Sequence, residues 1–149
     1  MKKKEKLIVF ILIIILLLID QITKIIAIKQ GWMIRKTDTN GNVQYILTSI
    51  IIVLVIIRYI FNNNSFIKIY TRIILSFGIS GGIGNLIDRI WNKSVILFIN
   101  FNNIELNISY IYILIAWIGM AVILTKDTAK FLQDKKNKRN DKKNENNSK

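Results

Sequence analysis

Leu7–Ile28 reads LIVFILIIILLLIDQITKIIAI, thirteen apolar residues in a row, then Asp20-Gln21-Ile22-Thr23-Lys24, then four more apolar positions. As a helix this stretch is about 33 Å long, enough to cross a hydrocarbon core of about 30 Å. The basic start Met1–Lys6 followed by an apolar run also suits a signal peptide. However, the polar Asp-Gln-Ile-Thr-Lys stands where a small-residue cleavage site would be expected, so the reading is an uncleaved transmembrane helix. Three further apolar segments follow, Tyr45–Phe61, Phe66–Ile87 and Ile108–Leu124. The fold class expected is all-α: four transmembrane helices with a small β-ribbon at one membrane face.

Working outward, the 149 residues carry 22 Lys and Arg against 9 Asp and Glu, a net charge of +13, on a chain that is 52 % hydrophobic. Charge and apolarity coexist because they are segregated. The N-terminal tail holds four basic residues, the Arg58–Arg72 connection three, and the chain from Lys126 onward nine, whereas the opposite connections hold five. That bias places both termini in the cytoplasm. Residues 1–130 are expected to form the membrane domain. Residues 131–149, dominated by Lys, Asn, Asp and Glu, are expected to form a disordered basic tail held near anionic lipid. No aromatic interleaves the tail's charges, so nucleic acid is not an expected partner. Membrane lipid is.

The absence of Cys and His excludes thiol chemistry, imidazole bases and the usual zinc sites, so neither metal nor cofactor is expected. The absence of Pro excludes proline kinks. Ser-Lys catalysis is possible by composition, but no Ser shares an outward helix face with a Lys. Asn40-Gly41-Asn42 signals a turn in the first outer connection. In the second, Arg89–Asn107, the alternation at Ile104–Ile108 suggests short strands. Trp32, Trp91 and Trp117 suit interfacial positions.

Polar groups within spans need a physical reason. Asp20 and Lys24, four apart, can form a local ion pair. Gly78 and Gly82 give a small-xxx-small spacing for close helix contact. Asn85, Asp88 and Arg89 then end the third span, either as a packing face closed by a paired charge or as one polar pocket shared with Asp20.

Two motifs at these helix ends resemble those of the lipoprotein signal peptidase (signal peptidase II) family. Asp20-Gln21-Ile22-Thr23-Lys24 matches its Asp-Gln-x-x-Lys, and Gly81-Gly82-Ile83-Gly84-Asn85-Leu86-Ile87-Asp88-Arg89 resembles its Gly-Gly-x-x-Gly-Asn-x-x-Asp-Arg, one residue shorter between the glycines. The resemblance implies a four-helix aspartic endopeptidase of the bacterial cytoplasmic (inner) membrane that cuts lipid-modified prolipoproteins before the diacylglyceryl-cysteine. Such chemistry needs two carboxylates sharing a proton. The first belongs to a Val-x-Asp-Phe motif, which reads Val95-Ile96-Leu97-Phe98 here. The second belongs to Phe-Asn-x-Ala-Asp, which reads Leu106-Asn107-Ile108-Ser109-Tyr110. Leu97 and Tyr110 thus occupy the two acid positions, and the family's Asn-x-Gly-Ala-Ala-Phe lid motif is missing from Gly31–Ile50. The expectation is a degenerate, non-proteolytic relative that binds a lipidated peptide or lipid through polar anchors Asn85, Arg89 and Asn107. The alternatives are an active endopeptidase using Asp20 and Asp88, and an accessory or immunity-type membrane protein gaining a partner through its small-residue face.

Overall fold

The structure is a computed structural model describing the backbone of residues 3–32, 35–38, 42–61 and 68–147, and the side chains of 4–32, 43–61 and 68–137. Four helices, α1 (Lys3–Lys29), α2 (Asn42–Phe61), α3 (Ile69–Asn92) and α4 (Ile108–Asn147), alternate with four short strands, β1 (Arg35–Asp38), β2 (Ser94–Leu97), β3 (Ile99–Phe101) and β4 (Ile104–Leu106). Each helix is long and apolar enough to cross a membrane.

α1 buries a narrow stripe, Val9, Ile13, Leu16, Asp20, Lys24 and Ala27, spaced by threes and fours. Its other faces present Ile, Leu and Phe outward, as expected for helices solvated by lipid. Lipid tails are as apolar as Leu, so association of such helices rests on close packing and polar contacts. α3 is built accordingly. It packs against each of the other three helices, and its buried positions are Thr71, Arg72, Ser76, Ile79, Ser80, Gly81, Gly84, Asn85 and Asp88, of which only Ile79 is aliphatic. Ile79 joins Val9, Ile13 and Ile60 in a small apolar core, beside which the Ser80 hydroxyl donates to the Ile13 carbonyl at 3.2 Å. Gly78 and Gly82 serve contacts within the chain: a Cβ there would sit 3.1 Å from Ala116 of α4 and 3.1 Å from Val53 of α2. The Phe77 ring meets Tyr112 edge-on at 5.7 Å.

The strands lie at the end of the bundle where α1 and α3 finish and α4 begins. β1 pairs antiparallel with β2, Arg35 opposite Leu97 and Asp38 opposite Ser94. β3 and β4 form a hairpin turning through Asn102 and Asn103, both at positive φ (48° and 66°), the left-handed pair that a tight two-residue turn requires. Strands in the second outer connection were expected; β1 was not.

Two expectations are corrected. α3 begins at Ile69 rather than Phe66 and continues past Ile87 to Asn92, so Arg89 belongs to the helix and not to the connection. α4 continues through the polar segment to Asn147, where disorder was expected. A helix already nucleated in the bilayer extends cheaply into Lys, Asp and Gln, and the exposed run from Leu124 to Asn137 needs no packing partner. The turn signal Asn40-Gly41-Asn42 lies outside the described residues except for Asn42, which opens α2.

Candidate functional site

The sheet end of the bundle holds two polar regions of opposite character. The first is sealed. The position of Asp20 and Lys24 on the buried stripe of α1 carries both into the interior, Asp20 at 0 % exposure and Lys24 at 2 %. The Lys24 ammonium contacts Asp20 Oδ2 at 2.7 Å and, across the helix interface, Asp88 Oδ2 at 2.8 Å. The expected local pair is therefore one half of a three-residue ion cluster. The rest of the charge is met by backbone donors: Ser109 N–H donates to Asp20 Oδ1 at 2.8 Å and Ile96 N–H to Asp88 Oδ2 at 3.2 Å. The Gln21 amide adds a 3.1 Å bond to Asp20 Oδ2. Asp20 thereby satisfies an orphan N–H in the first turn of α4 and places negative charge at the positive end of that helix. Gly84 makes the closeness possible, because a Cβ there would collide with the Asp20 carboxylate and the Ser109 hydroxyl.

Asn107 sits beside this cluster and is fully committed. Its Nδ2 donates to Asn85 Oδ1 and to the Ile96 carbonyl, both at 2.9 Å, while its Oδ1 accepts from Tyr110 N–H at 2.8 Å, the geometry of a helix N-cap. Asn107 ties α3, β2 and α4 together, with both amide hydrogens engaged within the chain. Asn85 gives its carbonyl oxygen to that bond, and its amide nitrogen donates to none of the described residues.

The second region is open. A groove of about 630 Å³ runs along α3 from Leu75 through Gly78, Gly82 and Asn85 to Arg89, walled by α2 and α4. Among the described residues lining it, Arg89 carries the one charge; Ser49, Asn85 and Tyr110 are the other polar side chains. Arg89 pairs with no carboxylate among the described residues, and its Nε is buried without a hydrogen-bond partner. Asp88 pairs with Lys24 rather than with the adjacent Arg89. Adjacent residues on a helix point about 100° apart, so Asp88 turns inward to Lys24 while Arg89 turns to the groove.

Leu97 and Tyr110 line one depression of about 420 Å³ together with Asn103, Glu105 and Leu106. Glu105 is the sole carboxylate among the described residues there, and it has a polar interaction of its own.

Ser109 was not anticipated. Its hydroxyl lies 3.4 Å from Lys24 Nζ, a Ser–Lys contact made between helices. Reading one helix face at a time cannot reveal such a pair. The same Lys24 nitrogen contacts Asp20 and Asp88 at shorter distance, 2.7 and 2.8 Å. No group of three or more metal-ligating side chains occurs among the described residues.

Two solved structures, each described as a bacterial membrane enzyme determined by the in meso method, share this fold. One (2.3 Å resolution) has a TM-score of 0.74 at 20 % identity over 82 % of this chain and 90 % of its own. The other (1.9 Å) has 0.71 at 19 % identity over 80 % and 94 %. No curated protein matches the chain. The family model described as signal peptidase (SPase) II matches residues 30–126, which contain α2, α3, the strands and the first half of α4. A match over that much of a four-span chain makes it a multi-pass membrane protein belonging to the signal peptidase II family.

Proposed function

We propose that this chain is a non-proteolytic member of its family, one that holds a lipid-modified prolipoprotein segment in the α2–α3–α4 groove without cutting it. It resides in the bacterial cytoplasmic membrane with both termini on the cytoplasmic side, following the excess of basic residues there. The observation that carries the reading is the depression lined by Leu97 and Tyr110, the positions that match the family's two acids. An aliphatic side chain cannot hold water or accept a proton, and a phenol is a poor base near neutrality. Glu105 supplies one carboxylate there, and one is half of a proton-sharing dyad. Asn85 and Arg89 serve as anchors; Asp20, Lys24, Asp88 and Asn107 are structural.

The active reading through Asp20 and Asp88 is disfavoured by their surroundings. Both are buried, both are bonded to the same ammonium, and backbone N–H groups complete their shells. In a dyad the two carboxyls meet each other to share a proton, whereas Asp20 and Asp88 each contact Lys24 Nζ instead. For the interaction-protein reading, Gly78 and Gly82 make close contacts with α4 and α2 of this chain and line the groove between those helices.

The test incubates the purified chain with a lipid-modified precursor in detergent, beside a Leu97→Asp/Tyr110→Asp variant and an active family enzyme. The unmodified chain is expected to bind precursor and release no signal peptide. Release by the unmodified chain, blocked by inhibitors of the family, refutes the proposal. Loss of that release in Asp20→Asn or Asp88→Asn would assign the activity to the buried pair.

A further inference from the structure

The open groove has an unusual polar end, in that it offers donors and no acidic acceptor. Arg89 brings a guanidinium with five N–H donors, and none is paired with an acid among the described residues. Asn85 has its oxygen occupied by Asn107, which leaves the amide N–H groups as its free polar function. Tyr110 contributes a phenol hydroxyl at the same mouth. In an enzyme with aspartates at positions 97 and 110, this end would hold acid and cation together. Here Arg89 has no acid partner among the described residues. An unneutralised charge at membrane depth is costly, and such groups pair or face a ligand.

The remainder of the groove is apolar and shallow-floored. Gly78 and Gly82 lower the floor, and Ile52, Val53, Ile56, Leu75, Ile113 and Leu124 surround it. Its rim is open to lipid, with Trp117 on the α4 wall 78 % exposed. The span from Leu75 to Arg89 is about 21 Å along the helix, the order of an acyl chain's length, and the volume lies within the range of ligand pockets.

We propose that this groove is an anionic glycerophospholipid site: the phosphate bonds to Arg89, Asn85 and Tyr110 at the mouth, and an acyl chain lies on the glycine floor toward Leu75. The proposal rests on the reading of the groove as the ligand site and names what occupies it when no precursor is present. Charge complementarity selects the headgroup. A phosphatidylglycerol brings one net negative charge to one unpaired cation. A phosphatidylcholine brings the same phosphate with a quaternary ammonium, for which the described lining residues offer no carboxylate.

The test uses the full chain in phosphatidylcholine nanodiscs, with Trp32→Phe and Trp91→Phe so that Trp117 alone reports. Acyl-brominated phosphatidylglycerol is compared with acyl-brominated phosphatidylcholine at equal mole fraction. Quenching of Trp117 is expected to show a preference for the anionic lipid on the order of tenfold, the size of one charge-assisted hydrogen bond. Arg89→Lys keeps most of that preference and Arg89→Gln abolishes it. Equal quenching by the two lipids in the chain with Arg89 overturns the proposal, and so does a preference that survives Arg89→Gln. Soluble glycerol 3-phosphate is expected to leave the quenching unchanged; full displacement by it would mean a bare phosphate site and would overturn the acyl assignment. Mass spectrometry of the unsubstituted chain, released from mixed-lipid nanodiscs, reads the same preference from co-isolated lipid and needs no variant. Failure of these measurements removes the phospholipid and leaves the precursor-binding reading intact, because that reading fails on precursor binding or on release of signal peptide.

Discussion

The sealed cluster around Lys24 and the open mouth at Arg89 are built from neighbouring residues of one motif, yet they manage charge in opposite ways. In the cluster, two carboxylates surround one ammonium and the backbone of β2 and α4 completes their hydrogen bonds. At the mouth, one guanidinium faces a groove that has no acid among its described lining residues. The difference teaches that polar residues at a helix end do not form a single functional unit. One turn of α3 sends Asp88 inward to join α1, α3 and β2, and sends Arg89 to the groove. On the reading proposed above, Asp20, Lys24, Asp88, Asn107 and the unanticipated Ser109 form a structural set, and Asn85, Arg89 and Tyr110 a binding set.

This division makes the two regions respond differently to substitution. The largest effect is expected for Lys24→Met, which leaves two buried carboxylates facing each other without a cation. Breaking a buried pair in this way costs about 3–5 kcal/mol, and unfolding in mixed detergent should show a loss of that order or no folded protein at all. A Lys24→Met protein as stable as the original would mean the cluster is not what joins the helices. Next is Gly84→Ala. Its Cβ collides with Asp20 and Ser109, so a stability loss of about 1–3 kcal/mol is expected by the same assay. Gly82→Ala, which meets only the tip of Val53, should cost clearly less. Asn107→Ala removes an N-cap and two bridging bonds, and a loss of about 1–2 kcal/mol is expected. The smallest stability change belongs to Arg89→Gln, within about 0.5 kcal/mol of the original, because no partner is lost. If Arg89→Gln instead destabilised the fold as much as Asn107→Ala, the distinction between cluster and mouth would fail.

Much of this was legible in the residues. Apolar segments rich in Ile and Leu marked the four spans, and the four-residue spacing of Asp20 and Lys24 placed them on one helix face. The motif around Gly84-Asn85 pointed to the right end of α3. Other features carried no local signal. Arg35–Asp38 is short, polar and without alternation, so its pairing with β2 appears only once α1 and α3 bring the two segments side by side. Asp88 and Arg89 looked like a pair because they are adjacent, but adjacency on a helix separates side chains rather than joining them. Ser109 meets Lys24 from another helix, eighty-five residues away in the chain. Glu105 enters the Leu97–Tyr110 depression because the β3–β4 hairpin leads it there. The continuation of α4 shows how a polar tail inherits helix from the span before it.

The most direct test of the central claim is a time course with a lipid-modified precursor and the unmodified chain in one reaction, scoring crosslinked complex and released signal peptide together. The account predicts that complex accumulates while no signal peptide appears, under conditions where an active family enzyme completes cleavage. Signal peptide released by the unmodified chain at a rate that falls with Glu105→Gln, or with Asp20→Asn, would contradict it.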